Sequence, residues 1–368
     1  MLSQSKNIFF IIPSRYPTEK AYGVTTEYTA LALKNLGHNV TIICSYKEKN
    51  QNTDLPIFAI NSLIIRLLTS KRIIKFKRFR FLFFLVIFAF RIRIILPKSN
   101  NIIWCRDIML AMMLSVFTKN QIVCEIHRVP SLFERILLLF LNNKTNVLLC
   151  PITNKLKSKL NLKGPRCTTA PMAVNSSELE LLKNSRKYKQ KIISYIGHIH
   201  QVGNFLDTNL INNAATLINR NHPEWRINII GITVDEFQKN LTSKLANNLD
   251  FYGQITRQEV LKALNISRIG LLIYPDSKWF KDNFPIKIVE YAAGGLGIVA
   301  SDTESHRAIL GEDLCVYFKP DSHYNLADAV IKLIENSEFL DFISINSQNW
   351  AQNFTYEMRA KKIIDLCK

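Results

Sequence analysis

Short, continuous apolar runs alternate along the chain with stretches in which apolar residues recur every third or fourth position. The first run, Asn7–Ile12, ends at Pro13-Ser14 and predicts a buried parallel strand. Tyr28, Leu31, Ala32 and Leu36 fall at helical spacing and predict a helix over 24–36, stopped by Gly37-His38. Asn39–Cys44 is the second strand, and the loop before the helix, 15–23, carries the single glycine Gly23. The alternation continues with strands at 101–105, 121–126, 147–150 and around 167–170. Helices are predicted after them to about 118, over 131–142 and over 154–160. Arg106, Asp107, His127 and Arg128 therefore sit at the carboxyl ends of strands, the edge where open parallel sheets bind ligands.

The polar stretch 175–191 reads as a linker with a helical start, after which the pattern begins again. Strands are predicted at 192–196, 225–230, 249–253 and 269–274, with a helix over 206–220 and a loop over 197–203. Residues 326–337 are amphipathic. The pattern predicts an α/β protein of two Rossmann-like, doubly wound domains. The expected boundaries are 1–177 and 178–351, and a chain of 368 residues suits two cores better than one.

The most informative stretch is 281–302. Pro285 suits the first position of a helix, Ile286, Val289 and Ala293 give it an apolar face, and Gly294-Gly295 stops it. A β-branched strand over 296–301 follows, closed by Asp302. Free N–H groups and the positive dipole end at this helix start suit a phosphate. Lys281 and Lys287 add positive charge, while Asp282 and Glu290 can accept hydrogen bonds from sugar hydroxyls. An ordinary solvated helix surface would carry similar charges.

Composition adds one unusual fact, a formal net charge of +19, which points to a polyanionic partner. Just over half of that charge lies in residues 55–105, which hold ten Lys or Arg and no Asp or Glu. Within them Phe81–Phe90 is a run of ten apolar residues, about half of what a bilayer crossing needs. Residues 66–98 are expected to lie on an anionic membrane surface. A core helix with a solvated basic face is the alternative, and no nucleic-acid-binding motif is present. Seven scattered cysteines without C-x-x-C spacing argue against a disulfide framework or zinc site. With no leader evident at Met1–Lys6, the expected location is cytoplasmic, peripheral on the inner membrane face. The pair His198 and His200 lacks the nearby acids or thiols a metal site needs, so none is expected.

The 281–302 stretch resembles the signature of retaining GT-B glycosyltransferases of family 4 (glycosyl transferases group 1). The match is carried by Asp282, Pro285, Lys287, Glu290, Tyr291, Ala293 and Gly295, with Asp where the first acid is usually Glu. The Leu33–Ile43 pattern is similar to the same family's first helix and second strand. The resemblance implies two domains facing a central cleft, with a tail helix over about 352–368 crossing back to the first. It implies sugar transfer from a nucleotide diphosphate sugar to a glycan or lipid-linked acceptor, with retention, no metal and no other cofactor. Asp282 would then meet the donor sugar, Glu290 the ribose, and His127 the donor sugar or acceptor. Gly23, Gly197, Lys281, Pro285 and Lys287 would hold the diphosphate. Beside His127, the strand-end residues Arg106, Glu125 and Arg128 are secondary candidates from position alone. The loop 197–203 lacks the family's usual Arg and Lys-Gly, having His198, His200, Gln201 and Gly203. A GT-B sugar-nucleotide epimerase and a catalytically silent GT-B protein are the competing expectations.

Overall fold

The computed structural model describes residues 5–18, 21–47, 53–60, 77–97, 101–183, 189–201, 204–277 and 280–367. The chain divides into two compact units, one made of 1–171 with 356–368, the other of 172–355.

The first unit is built on a six-stranded parallel sheet ordered β3-β2-β1-β4-β5-β6. Its strands are β1 (Asn7–Tyr16), β2 (Asn39–Lys47), β3 (Ile57–Ala59), β4 (Asn101–Cys105), β5 (Gln121–Ile126) and β6 (Val147–Pro151). Strands β4 and β6 are buried throughout, which is why they read as apolar runs. Helices α1 (Ala21–Asn35), α2 (Lys77–Ile95), α3 (Ile108–Phe117), α4 (Leu132–Asn142) and α5 (Asn154–Lys159) connect them. The last helix, Tyr356–Ile364, packs on α1. Two expectations need correction. Residues 167–170 form no strand, only an isolated bridge between Leu149 and Cys167. Gly23 lies inside the first turn of α1 rather than in a loop. There a Cβ would come 2.4 Å from the Thr18 carbonyl oxygen, so close backbone approach is what requires the glycine.

The second unit repeats the plan with a six-stranded parallel sheet ordered β11-β10-β7-β12-β13-β14. Its strands are β7 (Ile192–Ile196), β10 (Arg226–Ile230), β11 (Leu249–Gly253), β12 (Ile269–Leu272), β13 (Gly297–Ser301) and β14 (Cys315–Phe318). The stretch 197–203, expected as a loop, contains part of a small antiparallel pair, β8 (His200–Gln201) with β9 (Asn204–Phe205). The helices are α6 (Ser176–Leu182), α7 (Thr208–Asn221), α8 (Val234–Gln238), α9 (Arg257–Ile266), α10 (Ile286–Ala293), α11 (Glu304–Arg307), α12 (His323–Glu335) and α13 (Ser337–Ala351). One core runs through Ile193, Ile229, Leu271 and Val299 to Val330 and Ile343. Pro285 is the N-cap of α10 rather than its first residue, with ψ of 128°. Among the described residues no helix is long and apolar enough to cross a membrane.

Candidate active site

In the second unit the carboxyl ends of β7 and β10 meet the start of α10. Three glycines let the backbones close up there. A Cβ on Gly231, whose φ is +90°, would lie 2.2 Å from the Gly197 carbonyl oxygen. Gly197 donates its N–H to Ile230 O (2.9 Å), and Gly231 donates to Gly253 O (2.6 Å). Tyr291, from the middle of α10, fixes the end of β7. Its hydroxyl accepts the Ile196 N–H at 3.0 Å and donates to Leu271 O at 3.4 Å. The signature tyrosine is thus a strut between the helix and two strands.

Lys287, in the first turn of α10, reaches this crossing point. A Cβ on Gly197 would sit 2.8 Å from its Nζ. The amine lies 5.2 Å from the ring centre of Tyr195 and 5.6 Å from that of Tyr274, within cation–π range. Among the described residues it makes no ion pair. Burial pushes its pKa down to about 8, against a smaller upward pull from Glu290. A lysine held in this way has its charge available for an incoming anion.

Glu290 is buried three residues further along the same helix face. Its Oε1 is engaged by Arg257 NH1, from the first turn of α9. Arg257 also clasps Glu178 of α6 through Nε (2.9 Å) and NH2 (2.6 Å). Two buried carboxylates therefore share one guanidinium. Spacing gave no hint of this, because Glu178, Arg257 and Glu290 come from three separate helices. Asp282 is buried in the turn before Pro285, and Lys281 beside it is exposed. Neighbouring turns are pinned by Ser305, which donates to Asn283 O at 2.6 Å.

The first unit carries a second cluster at the carboxyl ends of β4 and β5. Glu125 Oε1 accepts from Trp104 Nε1 (2.7 Å) and forms an ion pair with Arg359 of the last helix, whose NH2 lies 2.6 Å away. Its Oε2 meets His127 Nε2 at 2.6 Å. Arg106 NH2 lies 2.6 Å from His127 Nδ1 and can only donate, so Nδ1 accepts and Nε2 carries the proton. Both ring nitrogens of His127 are therefore occupied inside the unit. Burial and the Arg106 charge push the His127 pKa down to about 4. Burial would raise the Glu125 pKa, but Arg359, His127 and Arg106 hold it far below the usual carboxylate range. Arg106 NH1 also donates to Tyr22 O at 3.0 Å, which ties Gly23's neighbour to this cluster. Arg128, the third secondary candidate, turns instead to Glu134 of α4.

Residues 178–350, a little under half of the chain, match the family model for glycosyl transferases group 1. No curated protein sequence matches the chain closely enough to count as a relative. Among solved structures it is similar to a glycosyltransferase from Rickettsia africae, at 16% identity over 99% of this chain and 98% of that one, with a TM-score of 0.70. It is also similar to Anabaena HepE in complex with UDP-glucose, at 12% identity, 98% coverage of both chains and a TM-score of 0.65. WaaG, a glycosyltransferase involved in lipopolysaccharide biosynthesis, aligns at 11% identity over 98% of this chain and 99% of that one, with a TM-score of 0.64. These likenesses establish the fold as GT-B, with two Rossmann-like α/β units.

Proposed function

We propose that the chain is a glycosyltransferase taking a nucleotide diphosphate sugar as donor. The observation that carries this reading is the Lys287 amine, without an ion-pair partner among the described residues, set against Gly197 at the start of α10. Departure of a nucleotide diphosphate concentrates negative charge on its terminal phosphate, and fixed positive groups must meet that charge as it develops. Lys287 and the N–H groups at the Pro285 end of α10 supply them without a metal, and Lys281 adds charge beside them. The glycine crossing at Gly197 and Gly231 gives a phosphate room to approach the backbone. Glu290 has a second carboxylate oxygen to accept ribose hydroxyls, while Arg257 holds the first. Asp282 is assigned to the donor sugar. His127 is assigned to the sugar or acceptor, and to meet either it must exchange its bond to Arg106.

The family match of residues 178–350 supports sugar transfer, to which the signature resemblance adds retention, and UDP-glucose bound by HepE supports a nucleotide sugar donor. The lipopolysaccharide role of WaaG and the basic residues 66–98 support a surface-glycan acceptor at the inner membrane face. Residues 66–76 and 98 of that stretch lie outside the described residues. One observation favours a second reading. The Arg257 ion pair could make Glu290 a structural acid in a catalytically silent GT-B protein.

Thermal stabilisation by UDP, GDP, ADP, CMP and their sugars, on wild type and on Glu290→Ala, separates the two. A ligand at a hundred times its Kd should add about 2.7 kcal/mol of stability. Stabilisation by one nucleotide sugar that disappears in the variant supports the transferase and names the donor class. A folded protein that responds to none of them supports the silent reading.

A further inference from the structure

Three helices of the first unit lie on one face of its sheet. The connections β3 to β4, β4 to β5 and β5 to β6 all run in the same direction across the strand order, so right-handed crossovers place α2, α3 and α4 together. α3 packs against both α2 and α4. Their outward surface is apolar where a globular protein is normally polar.

α4 shows this most clearly. Its inward side is Glu134, Leu138 and Leu141. Its outward side is Leu132, Phe133, Ile136, Leu139 and Phe140, with Leu132 79% and Leu139 63% exposed. On α2 the core takes Leu85, Phe88, Ala89 and Ile92, which leaves Phe90 and Ile94 outward at 56% and 66%. The run Phe81–Phe90 is thus half core and half surface. Single exposed leucines are ordinary, but an apolar face along a whole helix, with further exposed apolar residues in the same helix layer, marks a docking surface.

The charge around this surface selects the occupant. From Leu55 to Asn146 the sequence has fifteen Lys or Arg and three acids, Asp107, Glu125 and Glu134. None of the three faces outward unpaired. Asp107 caps α3 by accepting the Leu110 N–H, Glu125 is buried in its cluster, and Glu134 is clasped by Arg128. Arg91, Arg93, Lys119, Arg128 and Arg135 are exposed on or beside the three helices. A second copy of the chain would present the same positive rim and be repelled. An anionic bilayer offers acyl chains to the leucines and phenylalanines and phosphate headgroups to the basic rim.

We propose that the outward faces of α4 and α2 are the surface on which this protein sits in an anionic lipid bilayer, with α4 as its principal anchor. This deepens the reading above and rests on its lipid-linked acceptor. Leu132 follows His127 by five residues, a reach of at most about 17 Å. A bilayer touching Leu132 therefore holds its headgroup layer close to the strand end that bears His127. An acceptor anchored in the same leaflet would project its first sugars into that distance.

The test is co-sedimentation of the full chain with vesicles of phosphatidylglycerol and phosphatidylethanolamine, and with vesicles of phosphatidylcholine alone. Wild type should pellet with the anionic vesicles at least tenfold more strongly than with the neutral ones. Leu132→Ser/Leu139→Ser/Phe140→Ser should lose at least tenfold of that binding while keeping its melting temperature and its nucleotide-sugar stabilisation. If the triple variant does not fold, Leu132→Gln alone should lower binding severalfold. Unchanged binding by a folded variant overturns the proposal. So does a dimer seen by light scattering that the same substitutions dissociate, because a second copy would then cover the face. Nucleotide-sugar stabilisation is read without vesicles, so a failed donor site and a failed docking surface give different results.

Discussion

Each six-stranded parallel sheet carries a cluster of charged side chains at the carboxyl ends of its central strands, and the two clusters are bonded differently. In the first unit Glu125 is paired with Arg106, His127 and Arg359, and Trp104, Thr29 and the Tyr22 carbonyl take up further bonds. In the second unit the acids share Arg257, while Lys287 lies over the rings of Tyr195 and Tyr274 beside Gly197 and makes no ion pair among the described residues. On the function proposed above, the comparison separates charge that holds a structure from charge kept for a ligand. A buried cation with a carboxylate partner is already neutralised. One held over tyrosine rings retains most of its field for whatever enters.

The largest effect expected from that difference is on stability in the first unit. Glu125→Ala leaves Arg359, 2% exposed, without its counter-charge, and should lower stability by about 3–5 kcal/mol in a denaturant titration. A loss below about 1 kcal/mol would break the contrast. Next, Lys287→Ala should lower kcat/KM for the donor by about 100-fold, the scale for losing one fixed group that meets developing charge. Its melting temperature should stay near wild type, because no ion pair is broken.

The pH dependence is smaller and sharpens the same point. Below pH 8 the Lys287 amine is already protonated in the free protein, so anion binding needs no proton uptake. Above pH 8 binding must restore the proton, so donor Kd should be flat from pH 6 to 7.5 and then weaken towards tenfold per pH unit. Isothermal titration at four pH values tests this, and Lys287→Ala should remove the dependence. His127 gives the matching signature in the first unit. Its folded-state pKa is about 4 against an ordinary 6.5, so stability is fully present above pH 6.5 and falls as the pH drops towards 4. His127→Gln should flatten that slope. The smallest effect is expected at Gly197→Ala, whose Cβ would meet the Tyr195 hydroxyl at 2.5 Å and Lys287 Nζ at 2.8 Å. Lys287 can swing aside, so donor affinity should fall by about tenfold, with a loss of about 1–3 kcal/mol in stability.

The sequence was most legible where strands are buried on both faces. The predicted strands at 101–105, 121–126 and 192–196 have the bounds found in the structure, because buried, mostly apolar runs leave little choice. It was least legible where backbone approach or distant partners decide. Gly23 reads in the sequence as a loop glycine but packs against Thr18 inside α1, and Pro285 reads as a first helical residue but has the ψ of a cap. The outward face of α4 is not legible in the sequence because Leu132–Asn142 is apolar on both sides, and periodicity alone cannot tell an exposed leucine from a core one.

The sequence by itself determined two parallel α/β sheets, a helix start rich in lysine and carboxylate, and a concentration of positive charge before residue 105. Those follow from local pattern, which needs only near neighbours to be read. Tertiary structure alone decided which charges are spent on each other. Arg359 reaches Thr29 across 330 positions, and Arg257 gathers Glu178 and Glu290 from two other helices. Ion pairs form between groups that the fold brings within a few ångströms, and spacing along a chain carries no record of that distance.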